Sequence, residues 1–430
     1  MRRKRQFRNL LLHIISRAAA AALAIAIVFA LTVASAPSAQ AQTPATGGGW
    51  TEKLLHNFNY NGTDAWGPFG TLIRDAGGNL YGTTVDGGAY GDGTVFEVTP
   101  TVGGGWTEQV LHSFGEGTDG AGPYAGLMFD AAGNLYGTTG AGGNFTAYCS
   151  QYGCGTVFEL TPNGSGGWTE TVLYRFCSQA NCADGQGPQY GSLVLDAAGN
   201  LYGTTYGGGI DGSYCNSGCG TVFELTPTGG GGCTEQVLWS FNGNADGGNL
   251  YTGLIFDAAG NLYGTTSGGT VFELTPTTGG GWTEDVLWSF NGADGLFPSG
   301  LIFDAAGNLY GTMRGDLYSE CTYAPPPNVP NCGMVFELTP TAGGNWTETV
   351  LHRFNNNGTD GWEPWAGLMS DAVGNLYGTT QWGGTYGYGT VFELTPADPC
   401  AKCNRSVDRE AHVLPAERRD VLERGGVERP

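Results

Sequence analysis

Six aspartates, Asp64, Asp119, Asp184, Asp246, Asp294 and Asp360, recur at one place in a pattern that the chain writes six times, and all but the first precede glycine. Carboxylates brought in that number to one rim would form a site for a cation, calcium above all, or for the hydroxyls of a polyol. The competing reading is local, because Asp-Gly is a favoured turn pair in which the carboxylate caps its own turn. Four tryptophans, Trp66, Trp362, Trp365 and Trp382, stand outside the repeated positions, on variable stretches of the first and last repeats. Flat apolar rings with polar rims suit sugars and protein partners, and suit a packed seam equally well.

Constellations for catalysis are sparse. His56, His112 and His352 share a repeat position with Tyr174, Trp239 and Trp288, while His13 and His412 lie near the two ends of the chain. With no histidine left over, metal-hydrolase and serine–histidine chemistry lose their base, and paired carboxylates are the enzyme chemistry that remains. Asp86, Glu116 and Glu363 fall outside the repeated acid positions, and a pair among them would serve a carbohydrate lyase or hydrolase. Cysteines come as local pairs: Cys149 with Cys154, Cys177 with Cys182, Cys215 with Cys219, and Cys321 with Cys332. Disulfides are the expectation for an exported chain, with exchange of partners among the first six open across adjacent repeats. Zinc is disfavoured for want of spare histidines, and no metal site is assigned. Cys233 is left odd, and Cys400 and Cys403 form a C-x-x-C in the tail.

The elements that must position these residues follow from composition and repetition. Glycine occurs 77 times, aromatics make up 12% and charged residues 13%, the profile of short strands joined by tight turns. Four segments recur six times each: a "GLIFD"-like run, "NLYGTT", "GTVFELTP" and "WTEQVLHSF" or a close variant. Each has strand length, is rich in Val, Phe, Tyr, Trp and Thr, and is bounded by Gly, Pro, Asn or Asp. Four strands per unit, six units, predict an all-β six-bladed β-propeller of four-stranded antiparallel blades. The "DAAGN" run joins the first and second strands, its Asp bonding backbone amides and its Gly taking positive φ.

Order along the chain predicts how the ring closes. An orphan fourth strand, 50–58, precedes the first unit, and the last unit ends at "VFELTP" without one. The N-terminal strand should therefore close the last blade and hide two open sheet edges. The connections from second to third strand, and from fourth strand to the next first strand, vary and share one mouth of the channel, where binding residues usually sit.

Ahead of the repeats, Arg2, Arg3, Lys4, Arg5, Arg8 and Arg17 lead into the apolar run 18–34, and "AQA" follows at 39–41. This reads as a secretory signal peptide, 1–41, then a linker, 42–49, the propeller, 50–396, and a charged tail, 397–430, expected to be disordered. Between leader and tail stand 5 basic and 32 acidic residues, a net charge of −27. Nucleic acid and anionic membrane are thereby disfavoured as partners, since both are polyanions. No membrane insertion is expected once the leader is removed.

"GLIFDAAGNLYGTT" followed by "GGTVFELTP", six times, with "GGGWTE" between copies, closely resembles the choice-of-anchor tandem repeat GloVer and, more loosely, the NHL propeller repeat. The resemblance spans 50–396. It implies an exported or surface protein of unassigned activity that carries a C-terminal anchoring signal. The tail departs from that pattern, with no apolar helix and no sorting motif, so free secretion is as well supported as anchoring. The expectation is an exported monomeric binding module for glycan or protein ligands, with no cofactor unless the aspartate ring takes calcium. A carbohydrate-active enzyme and a purely structural envelope protein are the alternatives.

Overall fold

A computed structural model describes residues 55–58, 65–115, 119–149, 152–210, 215, 217–291, 296–315, 332–355, 357, 359–385, 387 and 389–396. The expected leader, linker and tail lie outside these residues, and no helix among the described residues is long and apolar enough to cross a membrane.

The repeats fold as six blades of antiparallel sheet. Blade four is representative: Ile255–Phe256, Leu262–Thr265, Thr270–Pro276 and Trp282–Ser289 pair in chain order. The first strand is only two residues long, shorter than the five-residue segment the sequence suggests. Third and fourth strands pair over seven positions and shift register once, between Val271 and Phe272, a bulge that recurs in other blades. Blade five adds a short strand, Leu296–Pro298, which pairs with the far end of its second strand, Leu309–Gly315.

Why one sequence unit gives one blade is visible in three local devices. In the turn before the second strand, Asp257 accepts the backbone N–H groups of Ala259 and Asn261 at 2.8 Å and the Asn261 side chain at 2.9 Å. The Tyr263 hydroxyl then reaches both Asp257 and Glu273, tying the turn to the third strand. Each repeat's "YGT" glycine lies under a phenylalanine of the third strand: a Cβ on Gly264 would stand 2.6 Å from the Phe272 ring, so no other residue fits there. Finally, the phenylalanine that follows each fourth strand meets the third-strand phenylalanine of the next blade, edge to face or tilted. Phe114 meets Phe158, Phe176 meets Phe223 and Phe241 meets Phe272, each at 5.0 Å between centroids.

Five hydrophobic clusters, one per junction from blades one–two to five–six, make up the core. The flanks facing the seam between blades six and one differ. Leu72 is 47% exposed where its counterparts Leu127, Leu193, Leu254, Leu301 and Leu368 are at most 7%, and Val391 is 81% exposed where Val95 is fully buried. Blade six shows three strands among the described residues, Met369–Ser370, Leu376–Thr380 and Thr390–Leu394. Its expected fourth strand falls on 50–58, of which 50–54 lie outside the described residues; Leu55–Phe58 carry no strand pairing. Phe58 nevertheless meets Phe96 of blade one at 5.0 Å, edge to face, repeating the contact made at every other junction.

Candidate functional site

The residue three places before the leucine that leads into each first strand is aromatic in five blades: Phe69, Tyr124, Tyr190, Tyr251 and Trp365. In blade five Phe297 stands one place earlier and adopts positive φ, which lets it reach the same circle. Neighbours touch in sequence around it. Phe69 and Tyr124 lie 5.9 Å apart, Tyr124 and Tyr190 5.8 Å, Tyr190 and Tyr251 4.6 Å, and Tyr251 and Phe297 5.8 Å. Phe69, Tyr190 and Trp365 remain 72%, 38% and 46% exposed, so the collar offers its rings to solvent. Burial raises the hydroxyl pKa of Tyr190 and Tyr251, and both stay protonated hydrogen-bond donors at neutral pH.

The scaffold under the collar is uniform. First-strand backbones are clamped by second-strand threonines: Thr83 donates to the Ala125 carbonyl, Thr204 to Thr252 and Thr312 to Ala366, each at 2.9 Å. Two residues beyond each of those threonines the chain is different in every blade: Val85, Gly140, Tyr206, Ser267, Arg314 and Gln381. Several of these stand against the collar. Tyr206 touches Tyr190 and Tyr251, Arg314 places its guanidinium 3.6 Å from the centre of the Trp365 ring, and Gln381 accepts the Trp365 indole N–H. Arg314 is held there by Glu363 at 3.3 Å, an ion pair mostly shielded from solvent. A constant aromatic tier thus rests beside a variable tier that is polar in four blades.

Four of the sequence-predicted aspartates are bonded within their own turns. Asp184 is fully buried and accepts the Tyr174 hydroxyl, the Ser178 N–H and hydroxyl, and the Gln179 N–H. Asp119 is buried between His112 and the Gly115 N–H, and Asp360 takes His352, Asn355 and its own Gly361 N–H. Asp246 is buried and accepts the Asn242 N–H. These four cap their own turns and present no exposed carboxylate ring; Asp64 and Asp294 lie outside the described residues. For Asp119, Asp184 and Asp360 the strand-four residue, His112, Tyr174 or His352, meets the acid with its polar tip, whereas Asp246, whose strand-four counterpart is Trp239, is held by its own turn.

Among the tryptophans, Trp362 and Trp382 stack across a two-stranded ribbon at 6.0 Å, and Trp365 joins the collar. Trp66 sits on blade one in its own ribbon, paired with Asp86. Of the three unusual acids, Glu363 is paired with Arg314, Asp86 lies opposite Trp66 in the two-stranded ribbon of blade one, and Glu116 lies outside the described residues. Disulfides join Cys149 to Cys154, Cys177 to Cys182 and Cys215 to Cys219. Cys332 is disulfide-bonded, its expected partner Cys321 lies outside the described residues, and Cys233 is a free, half-buried thiol. Cys400 and Cys403 also lie outside them. A depression of about 550 Å³ opens between blades one and two beside Arg74, Asp75, Tyr81 and Trp168, at the "DAAGN" end of the strands and away from the collar.

Sequence reasoning found Trp365 but missed the other five collar aromatics. The signal was available: aligned on the leucine, five of six repeats show an aromatic at the same offset, masked because its identity changes among Phe, Tyr and Trp.

The chain matches the model of the Gloeobacter/Verrucomicrobia repeat twice, over residues 42–214 and 145–323. No curated protein matches it. Among solved structures it is similar to PorZ, an essential bacterial surface component of the type-IX secretion system of Porphyromonas gingivalis, at 15% identity and a TM-score of 0.37 over 75% of this chain. The chain spans 38% of the length of PorZ. It is also similar to a putative oxidoreductase (glucose dehydrogenase) from Thermus thermophilus, at 14% identity and a TM-score of 0.40, covering 79% of this chain and 99% of that one.

Proposed function

Since the chain belongs to the Gloeobacter/Verrucomicrobia repeat family, a repeat that here builds a rigid ring of near-identical blades, we propose that it is an exported binding module. Its ligand is a neutral saccharide, held on the aromatic collar. The observation that carries this reading is the two-tier arrangement: one aromatic per blade, exposed at Phe69, Tyr190 and Trp365 and half-buried at Tyr124, Tyr251 and Phe297, flanked by a position that is Val, Gly, Tyr, Ser, Arg or Gln in turn. Pyranose faces stack on aromatic rings through their C–H groups, while Arg314, Gln381, Ser267 and the tyrosine hydroxyls offer the directional bonds that sugar hydroxyls need.

Charge selects among saccharides. The repeat region carries −27, and Arg314 is already neutralised by Glu363, so a polyanionic glycan would be repelled at long range. Export is supported by the leader-like N-terminus and by disulfides, which persist in oxidising compartments.

Calorimetric titration with neutral and acidic oligosaccharides tests the assignment. Saturable binding of a neutral oligosaccharide is expected, weakened about 10-fold or more in the Trp365→Ala, Tyr190→Ala double variant, since each lost ring contact removes about 1 kcal/mol. Uniform absence of binding, or affinity unchanged in that variant, would overturn it.

A further inference from the structure

The loops of blade two carry a second constellation, unrelated to the collar. Cys149 and Cys154 flank the connection between its second and third strands, and Cys177 and Cys182 flank the connection into blade three. Each pair encloses four residues, the C-x4-C spacing of zinc-ligand pairs. Folding brings the two pairs together: all four sulfurs lie within 4.8 Å of one another, and Cys149 Sγ is 3.2 Å from Cys177 Sγ across the two disulfides. Two disulfides stapling two separate loops do not require such convergence.

Polar groups converge on the same point. Thr146 Oγ1 stands 3.7, 3.6 and 3.8 Å from the sulfurs of Cys149, Cys154 and Cys182. The Gln186 side chain reaches Cys149 at 3.3 Å and Cys177 at 3.9 Å. The Thr146 hydroxyl so placed is an outer partner that orients thiolate ligands and disperses their charge, and the Gln186 carboxamide, whose Oε1 accepts from the sulfurs' side here, does the same once turned to present its Nε2–H. Cys154, Cys177 and Cys182 are at most 7% exposed and belong to the core cluster joining blades two and three, while half-buried Cys149 leaves one entry path.

We propose that these four cysteines form a redox-gated metal site: two disulfides when oxidised, and a tetrathiolate cage for one zinc ion when reduced. Two equivalents of a dithiol reductant supply the four electrons and four protons that open the disulfides, each leaving as its own disulfide. Zinc then displaces the four thiol protons to solvent. Sulfurs around tetrahedral zinc, at about 2.3 Å from the metal, stand about 3.8 Å from one another, so the observed cluster closes on an ion with sub-ångström to ångström shifts. Four soft donors and no hard oxygen ligand select zinc over calcium or magnesium. The expected consequence is that each loop is closed on itself by its own disulfide in the oxidised state, whereas in the reduced state the metal ties the two loops to one another.

Cobalt(II) titration of the phosphine-reduced, reductant-free chain, with near-ultraviolet circular dichroism as a check on folding, decides the matter. The expected result is roughly one ion per chain with the visible bands of tetrahedral tetrathiolate cobalt, bleached by added zinc. Those bands should disappear in the Cys149→Ser, Cys182→Ser variant and persist in Cys215→Ser, Cys219→Ser. The proposal fails if the folded reduced chain takes no cobalt, if the bands survive the first variant, or if reduction unfolds the chain and neither metal restores it.

Discussion

At the scale of single residues, the least comfortable groups are the glutamates of the "WTE" strands. Glu170, Glu235 and Glu284 each carry a buried carboxyl oxygen with no hydrogen-bond partner among the described residues. Burial pushes each of the three up to about 7, with Asp184 beside Glu235 and Asp246 beside Glu284 adding repulsion. An acid whose folded pKa is raised disfavours folding once its unfolded form ionises. Stability is therefore full below about 4.5, falls as pH rises toward 7, and stays at the lower level above it. Glu284→Gln should raise the melting temperature by roughly 2 °C at pH 8 and leave it unchanged at pH 4, as read by thermal denaturation at both. An equal shift at the two pH values would locate the effect in packing instead. None of this was legible in the sequence, where the glutamate reads as an exposed strand residue, because its burial arises only from the neighbouring blade.

At the scale of the strand pair, repetition within one chain acts as its own control. Five blades bury a pair of threonine hydroxyls where second and third strands meet: Thr84 with Thr94, Thr139 with Thr156, Thr205 with Thr221, Thr266 with Thr270 and Thr380 with Thr390, at 2.7 to 2.9 Å. Blade five changes both partners together, to Met313 opposite Met334, each fully buried. The physical reason is that a buried hydroxyl needs its partner, whereas two apolar side chains satisfy each other. Met313→Thr alone should cost about 1–3 kcal/mol in urea denaturation, and adding Met334→Thr should recover about 1 kcal/mol or more of that loss. Strictly additive losses would mean that the two sites do not communicate. The strand pattern and turn chemistry were readable because period, bounding residues and the Asp–Asn–Tyr motif all act locally. The collar was not, because its register slips by one residue in blade five.

At the scale of the whole molecule, six repeats dictate six blades, and the number of strands per blade follows from counting segments. Ring closure is the step at which one-dimensional reasoning and the described residues meet least completely. The flanks of blades one and six are the exposed ones, and the N-terminal segment that the repeat pattern assigns to them is described only at Leu55–Phe58. Phe58 offers the handle. It rests on Phe96 at 5.0 Å, edge to face, as Phe354 rests on Phe392 at 5.1 Å inside the established series of junctions. If the segment is an integral fourth strand, Phe58→Ala should destabilise the chain by about 2 kcal/mol, against about 3–4 kcal/mol for the more deeply buried Phe354→Ala. Both losses should appear in one cooperative urea transition. A Phe58→Ala protein as stable as the parent would show that the segment merely lies against blade one, and the seam would then depend on contacts outside the repeat.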